Sequence, residues 1–178
     1  MKTVTVHNKT FVKYIDHVDI QKSVQRIANQ IEKEYAGDVP VFVVVLNGAI
    51  FFAADLMLQL NIPLEVCSVK CSSYAGTQSS GDVKQLIGIT KDIANRRVII
   101  VEDIVDTGLT IKYIYEQLLE KKVKDIKIAA FALKKDVYKE NIPIDYIGFE
   151  IEDKFVVGYG LDYNELGRNL KSVYQLEE

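Results

Sequence analysis

A chain of 178 residues is one domain's worth of polypeptide, and folding at that size buries about 70% of the unfolded surface. With 48% hydrophobic and 26% charged residues it has the composition of an ordinary globular protein. A net charge of -3 argues against a general nucleic-acid binder, and the longest apolar run, Pro40 to Leu46, is too short to cross a bilayer.

The first eight residues lack the apolar stretch of a signal peptide, so the chain reads as cytoplasmic. Asp19 is placed to cap a helix whose apolar positions Ile20, Val24, Ile27, Ala28, Ile31 and Tyr35 follow helical spacing, with Gly37 as its stop. Val41 to Leu46 is a β-branched run of the kind buried on both faces of a sheet. Asn47-Gly48 turns the chain into a second helix, Ala49 to Leu60, ended by Asn61-Ile62-Pro63. Leu64 to Cys71 alternates as a strand does, and its two cysteines, Cys67 and Cys71, read as reduced thiols on one side of it. Ser72 to Asp82 is small, polar and glycine-bearing, hence a long loop, either a lid or simply disordered.

A short strand is expected near Gln85 to Ile89 and another at Val98 to Val101, followed by a helix from Leu109 to Lys121. Ile111, Ile114, Tyr115, Leu118 and Leu119 form that helix's apolar face. Ile126 to Leu133, Tyr146 to Phe149 and Phe155 to Val157 complete the strands. Strands alternating with helices imply an α/β fold: a mostly parallel twisted sheet flanked by helices, in a single domain spanning residues 1–178.

Ligands of open α/β sheets sit beyond the carboxyl ends of strands, which directs attention to Glu102 through Thr110. Glu102 and Asp103 are adjacent carboxylates, costly to desolvate without partners, and Asp106 adds a third. Thr107-Gly108-Leu109-Thr110 brings backbone N–H groups, two hydroxyls and a glycine to a helix start, which is an anion site. Acids beside a phosphate cradle need something else to face, and the diol of a ribose fits. Magnesium, which favours oxygen ligands and phosphates, can share them. The plainer alternative is that Asp106 or Thr107 caps the helix while Glu102 and Asp103 are solvated turn residues.

Val98 to Thr110, a hydrophobic run followed by two acids and Asp-Thr-Gly-x-Thr, resembles the phosphoribosyl-pyrophosphate motif of type I phosphoribosyltransferases. Ser72-Ser73-Tyr74 with Ser80-Gly81-Asp82 is similar to the mobile loop of the hypoxanthine-guanine phosphoribosyltransferase family, and Asp153 to Glu165 to its purine-binding segment. The likeness runs from Val41 to Glu178 with the three blocks in order. It implies the type I phosphoribosyltransferase fold, in which terminal segments form a small hood over the sheet.

The resemblance also implies a reaction, the joining of a 6-oxopurine to 5-phosphoribosyl 1-pyrophosphate, and assigns roles. Glu102, Asp103, Asp106, Thr107, Gly108, Leu109 and Thr110 would hold the phosphoribosyl group, with Asp106 taking the N7 proton of the purine. Lys134 would donate to the purine's 6-oxygen, Phe155 would stack on the base, and Val156 would meet its far edge. By residue type and spacing alone, Lys134 and Arg168 read as surface charges, and Phe155 and Val156 as core. In the family pattern Asp162 lies at the purine and holds a second magnesium through water, Glu102 and Asp103 serve the first, and Arg168 contacts pyrophosphate. Leu46-Asn47-Gly48 occupies the pyrophosphate loop, which in the family contains a non-proline cis peptide and typically a basic middle residue. Here that residue is Asn47, which departs from the pattern. Ser73 and Tyr74 would sit on a lid that keeps water from the reacting carbon.

The implied cofactor is magnesium and the implied partners are small molecules, with no nucleic acid or membrane, in a homodimer or homotetramer. Two other classes compete. A regulator of the same fold that binds RNA would need a basic face, and a phospho-acceptor domain using Asp103 would leave Asp106 to Thr110 and Lys134 unexplained.

Overall fold

The computed structural model describes residues 2–73 and 83–177. Its chain order opens with two strands that sequence reasoning missed, β1 (Thr3–Val6) and β2 (Lys9–Ile15), joined through His7 at φ 52°. Helix α1 (His17–Glu34) follows at once. Its N-cap is Asp16, whose carboxylate accepts from Val18 N at 3.2 Å, and not Asp19, which lies inside the first turn. The extended backbone of Asp16 ends β2 and frees its side chain to cap, so the helix starts three residues before the expected position.

The main sheet has the order β5-β4-β3-β6-β7-β8, built from β3 (Val41–Leu46), β4 (Glu65–Ser73), β5 (Val83–Ile87), β6 (Arg97–Val105), β7 (Asp125–Leu133) and β8 (Tyr146–Glu150). All neighbours are parallel except the β4–β5 pair at the edge. β3 is buried on both faces as its composition predicts. Phe42 and Val44 face one core with α1 and α2 (Ile50–Leu58), while Val41, Val43 and Val45 face a second with α3 (Leu109–Glu120). Cys67 and Cys71 are free, half-buried thiols packed against that second core, as the alternation suggested.

Three boundaries differ from expectation. The strand forecast at Gln85 to Ile89 is β5, two residues earlier. Ser72 and Ser73 continue β4, while Tyr74 and the rest of the loop through Asp82 lie outside the described residues. β6 runs on through Glu102 and Asp103 to Val105, because its ladder with β7 continues through Glu102↔Ala130 to Val105↔Leu133. A polar side chain does not end a strand whose backbone is still paired.

The strand expected at Phe155 to Val157 is shorter, β9 (Val156–Val157), and lies in a second sheet. That sheet has the order β1-β2-β10-β9, with β10 (Val173–Leu176) the other strand missed, and is antiparallel throughout. Phe11, Val157 and Tyr174 form its small core. Drawn from both ends of the chain, it is the hood that the resemblance implied.

Candidate active site

The parallel strands deliver their carboxyl ends to one edge, where Leu46 ends β3, Val105 ends β6 and Leu133 ends β7. The groove between this edge and the hood divides into three cavities that share walls. Asp106, Thr107, Gly108 and Thr110 line the first, which opens on the start of α3. Asp103, Asp106, Lys134, Phe155, Val156 and Asp162 line the second. The third takes in Leu46, Asn47, Gly48, Glu102, Asp103, Thr110, Asp162 and Arg168, and holds about 470 Å³, within the usual range of small-molecule sites, about 300–1,000 Å³. The residues singled out in the sequence are thus brought together around one groove. Of the lid pair, Ser73 is placed only as the last residue of β4, and Tyr74 lies outside the described residues.

Helix α3 has Gly108 as its N-cap, at φ 92°, and receives no side-chain cap. Neither Asp106 nor Thr107 therefore spends its oxygen on the helix, and the first-turn N–H groups are left for an anion. Gly108 is required twice. Its φ is left-handed, and a β-carbon there would run into the Tyr138 ring.

The two neighbouring acids are not solvated turn residues. Glu102 is only 7% exposed, and its Oε2 has no hydrogen-bond partner among the described residues. Burial, and then the charge of Asp103, push its pKa well above the ordinary glutamate value. Burial also raises Asp103, opposed by hydrogen bonds from Glu102 and the Ile104 N–H (2.9 Å) and by the charge of Arg168. A buried Glu102 with an unmet acceptor, beside a half-buried Asp103 at the cavity wall, is a pair of oxygen donors suited to a hard cation. Among the described residues no three His, Cys, Asp or Glu side chains converge as a metal cage. The pair matches magnesium, which typically takes one or two carboxylates and completes its shell with water and substrate oxygens.

Gly48 packs so tightly on Asp103 that a β-carbon would overlap the carboxylate, and Gly160 packs in the same way on the Gly48 carbonyl. The Leu46–Asn47 peptide is cis, as the resemblance implied. Arg168 reaches this corner from the hood, donating to the Gly160 carbonyl at 2.8 Å and pairing with Asp162 at 2.8 Å. It is therefore no free surface charge. Asp162 also accepts from Glu165 N at 2.7 Å.

Across the groove, the buried Lys134 ammonium lies 3.1 Å from Asp106 and 2.7 Å from Asp153. Burial alone would lower its pKa, but the two carboxylates outweigh that and raise it, so the amine stays a charged donor. Val156 is buried in the hood, whereas Phe155 is 46% exposed at the cavity wall, packed edge-on against Tyr163 at 5.7 Å. Ile104 and Leu161 line the same cavity, and Lys70 lines the third, yet sequence reasoning passed over all three. Ile104 carried a usable signal: it stands between Asp103 and Asp106 on the strand that ends in the motif.

Residues 13–164 match the phosphoribosyl transferase domain family. The chain is 41% identical to the hypoxanthine-guanine phosphoribosyltransferase of Aquifex aeolicus, covering 97% of this chain and 98% of that protein. It is 38% identical to the hypoxanthine-guanine-xanthine phosphoribosyltransferase of Tritrichomonas foetus, over 90% and 88%. The crystal structure of a hypoxanthine-guanine phosphoribosyltransferase from Bacillus anthracis superposes with a TM-score of 0.88 at 34% identity, over 93% of this chain and 98% of that one. A family match over most of the chain, with relatives at this identity and coverage, shows that the chain belongs to the hypoxanthine-guanine phosphoribosyltransferase family.

Proposed function

We propose that this chain is a purine salvage enzyme that transfers the phosphoribosyl group of 5-phosphoribosyl 1-pyrophosphate to hypoxanthine or guanine, giving the nucleoside monophosphate and pyrophosphate. The observation that carries the reading is that three cavities, one walled by a lysine and an aromatic ring, one by an uncapped helix start and one by an arginine, meet at Asp103 and Asp106 or their neighbours.

In this reading the 5′-phosphate takes the N–H groups and hydroxyls of Thr107 to Thr110, where the helix start favours negative charge. Glu102 and Asp103 accept from the ribose hydroxyls and are the carboxylates that would hold magnesium, which when bound would supply positive charge to offset that of the pyrophosphate. Leu46, Asn47, Gly48 and Arg168 receive the pyrophosphate. Asn47 offers an amide where the family pattern typically has a basic residue, so binding in the loop rests on its backbone and on Arg168. The base slides against Phe155, its 6-oxygen accepts from Lys134, and its far edge meets Val156. Asp106, beside Lys134, takes the N7 proton as the ribosyl cation is captured. Asp162 would hold a second magnesium, whose charge would add to that of Arg168 beside it. This chain forms a single domain over residues 1–178 and acts in the cytoplasm as a homodimer or homotetramer on small-molecule substrates. Among the described residues no helix is long and apolar enough to cross a membrane.

The test is to offer hypoxanthine, guanine, xanthine and adenine with phosphoribosyl pyrophosphate and magnesium and to follow absorbance. Hypoxanthine or guanine should be consumed, and adenine about 10⁴-fold more slowly, because it presents an amine to a buried donor. Adenine turning over as fast as hypoxanthine would overturn the base assignment, and no turnover of any purine would overturn the reaction.

A further inference from the structure

The proposed chemistry uses one of Lys134's two carboxylate partners and leaves the closer one, Asp153, without a role. The lysine side chain is 11% exposed and stands at the end of β7, in the main sheet. Asp153, 65% exposed, lies between β8 and β9, two residues before Phe155 and three before Val156. The 2.7 Å pair therefore ties the sheet to the segment that carries the stacking ring and the base's far edge.

An ammonium has three donors, so bonds to Asp106 and Asp153 leave one for a substrate oxygen. Its four-carbon stem is flexible and fixes nothing by itself. When Asp106 turns to the purine's N7, its hold on the ammonium is shared with the base. Asp153 is then the partner that keeps the amine in place.

We infer that Asp153 is a positioning residue for 6-oxopurine recognition, anchoring the Lys134 ammonium at the six-position edge of the base and fixing its distance from Phe155. The inference rests on the purine-transfer reading above. It differs from a merely structural role in one respect: its effect must pass through Lys134.

Steady-state kinetics of Asp153→Asn and Asp153→Glu, each in the natural chain and in a Lys134→Ala background, test it. Asp153→Asn should raise KM for hypoxanthine about tenfold, the worth of one charge-assisted hydrogen bond, and leave KM for phosphoribosyl pyrophosphate within about twofold. Asp153→Glu should recover most of the loss. In the Lys134→Ala background the further change to Asn should alter hypoxanthine KM by less than about twofold, since the two residues form one unit. The dissociation constant of inosine monophosphate, measured by calorimetry on the same proteins, reads the same coupling where turnover is too slow. An unchanged hypoxanthine KM in Asp153→Asn, or an equal penalty with and without Lys134, overturns the inference. An unmodified chain that turns over neither hypoxanthine nor guanine overturns the parent reading and this one with it, whereas one active on either base, with a KM for that base unaffected by Asp153→Asn, overturns this one alone.

Discussion

Glu102 is a carboxylate held away from water, and its burial has a cost that the ligand-free protein bears. Its pKa is raised by desolvation and by Asp103, so the folded protein holds the proton more tightly than the unfolded chain does. The stabilisation from that proton is complete below the unfolded value, about 4.3, and is lost as pH rises from there toward the raised folded value. At neutral pH without magnesium, Glu102→Gln should therefore melt higher than the natural protein, by a few degrees on a scale of about 2–4 °C per kcal/mol, while losing turnover. Scanning calorimetry showing an equal or lower Tm would contradict the account of this site. Asp106 is the opposite case. It is half-exposed, does not cap α3 and lines the cavity walled by Lys134 and Phe155, so Asp106→Asn should fold normally and lower kcat by about 10²–10⁴-fold, the usual worth of a general base. Near-natural turnover in that variant would remove it from the role. Both residues stood out in the sequence because acids in that number at one strand end are costly without a purpose. Leu161 and Lys70 did not, since a lone apolar residue or a lone lysine carries no pattern that separates a cavity wall from core or surface.

At the level of elements, the groove depends on close backbone approaches. Gly48 follows β3 and lies against Asp103 at the end of β6, and Gly160 comes down from the hood onto Gly48. Gly48→Ala would displace the Asp103 carboxylate, and a misplacement of that kind should cost about 10²-fold in kcat/KM for phosphoribosyl pyrophosphate. A kcat/KM within a few-fold of natural, measured under saturating hypoxanthine, would show that the approach does not matter. The strands of the main sheet were legible because those buried on both faces are continuous runs of Val, Ile and Ala. Their ends were less so. Glu102 and Asp103 read as a turn because hydropathy cannot reveal that the backbone ladder to β7 continues beneath two acids. The Asp16 cap was missed for a related reason, since Asp19 offered the same side chain three residues on.

Across the whole molecule, the two sheets meet along one seam, where Ile15, Val156 and Val173 of the hood join the core that α1 and α2 make with the main sheet. Tyr159 in the hood donates to Asp55 on α2 at 2.7 Å, Arg168 pairs with Asp162 beside the loop after β3, and Lys134 meets Asp153. The hood itself was invisible in the pattern of the chain. β1, β2, β9 and β10 are two to seven residues long, and the sheet draws on both ends of the sequence. Only the resemblance to the type I phosphoribosyltransferases, carried by three blocks in order, implied that terminal segments form a second layer. The seam gives the central claim its most direct test, a crystal structure with inosine monophosphate. The account predicts phosphate oxygens against the N–H groups of Thr107 to Thr110, ribose hydroxyls at Glu102 and Asp103, and the base against Phe155 with its 6-oxygen at Lys134. A nucleotide bound elsewhere, with the start of α3 vacant, would contradict it.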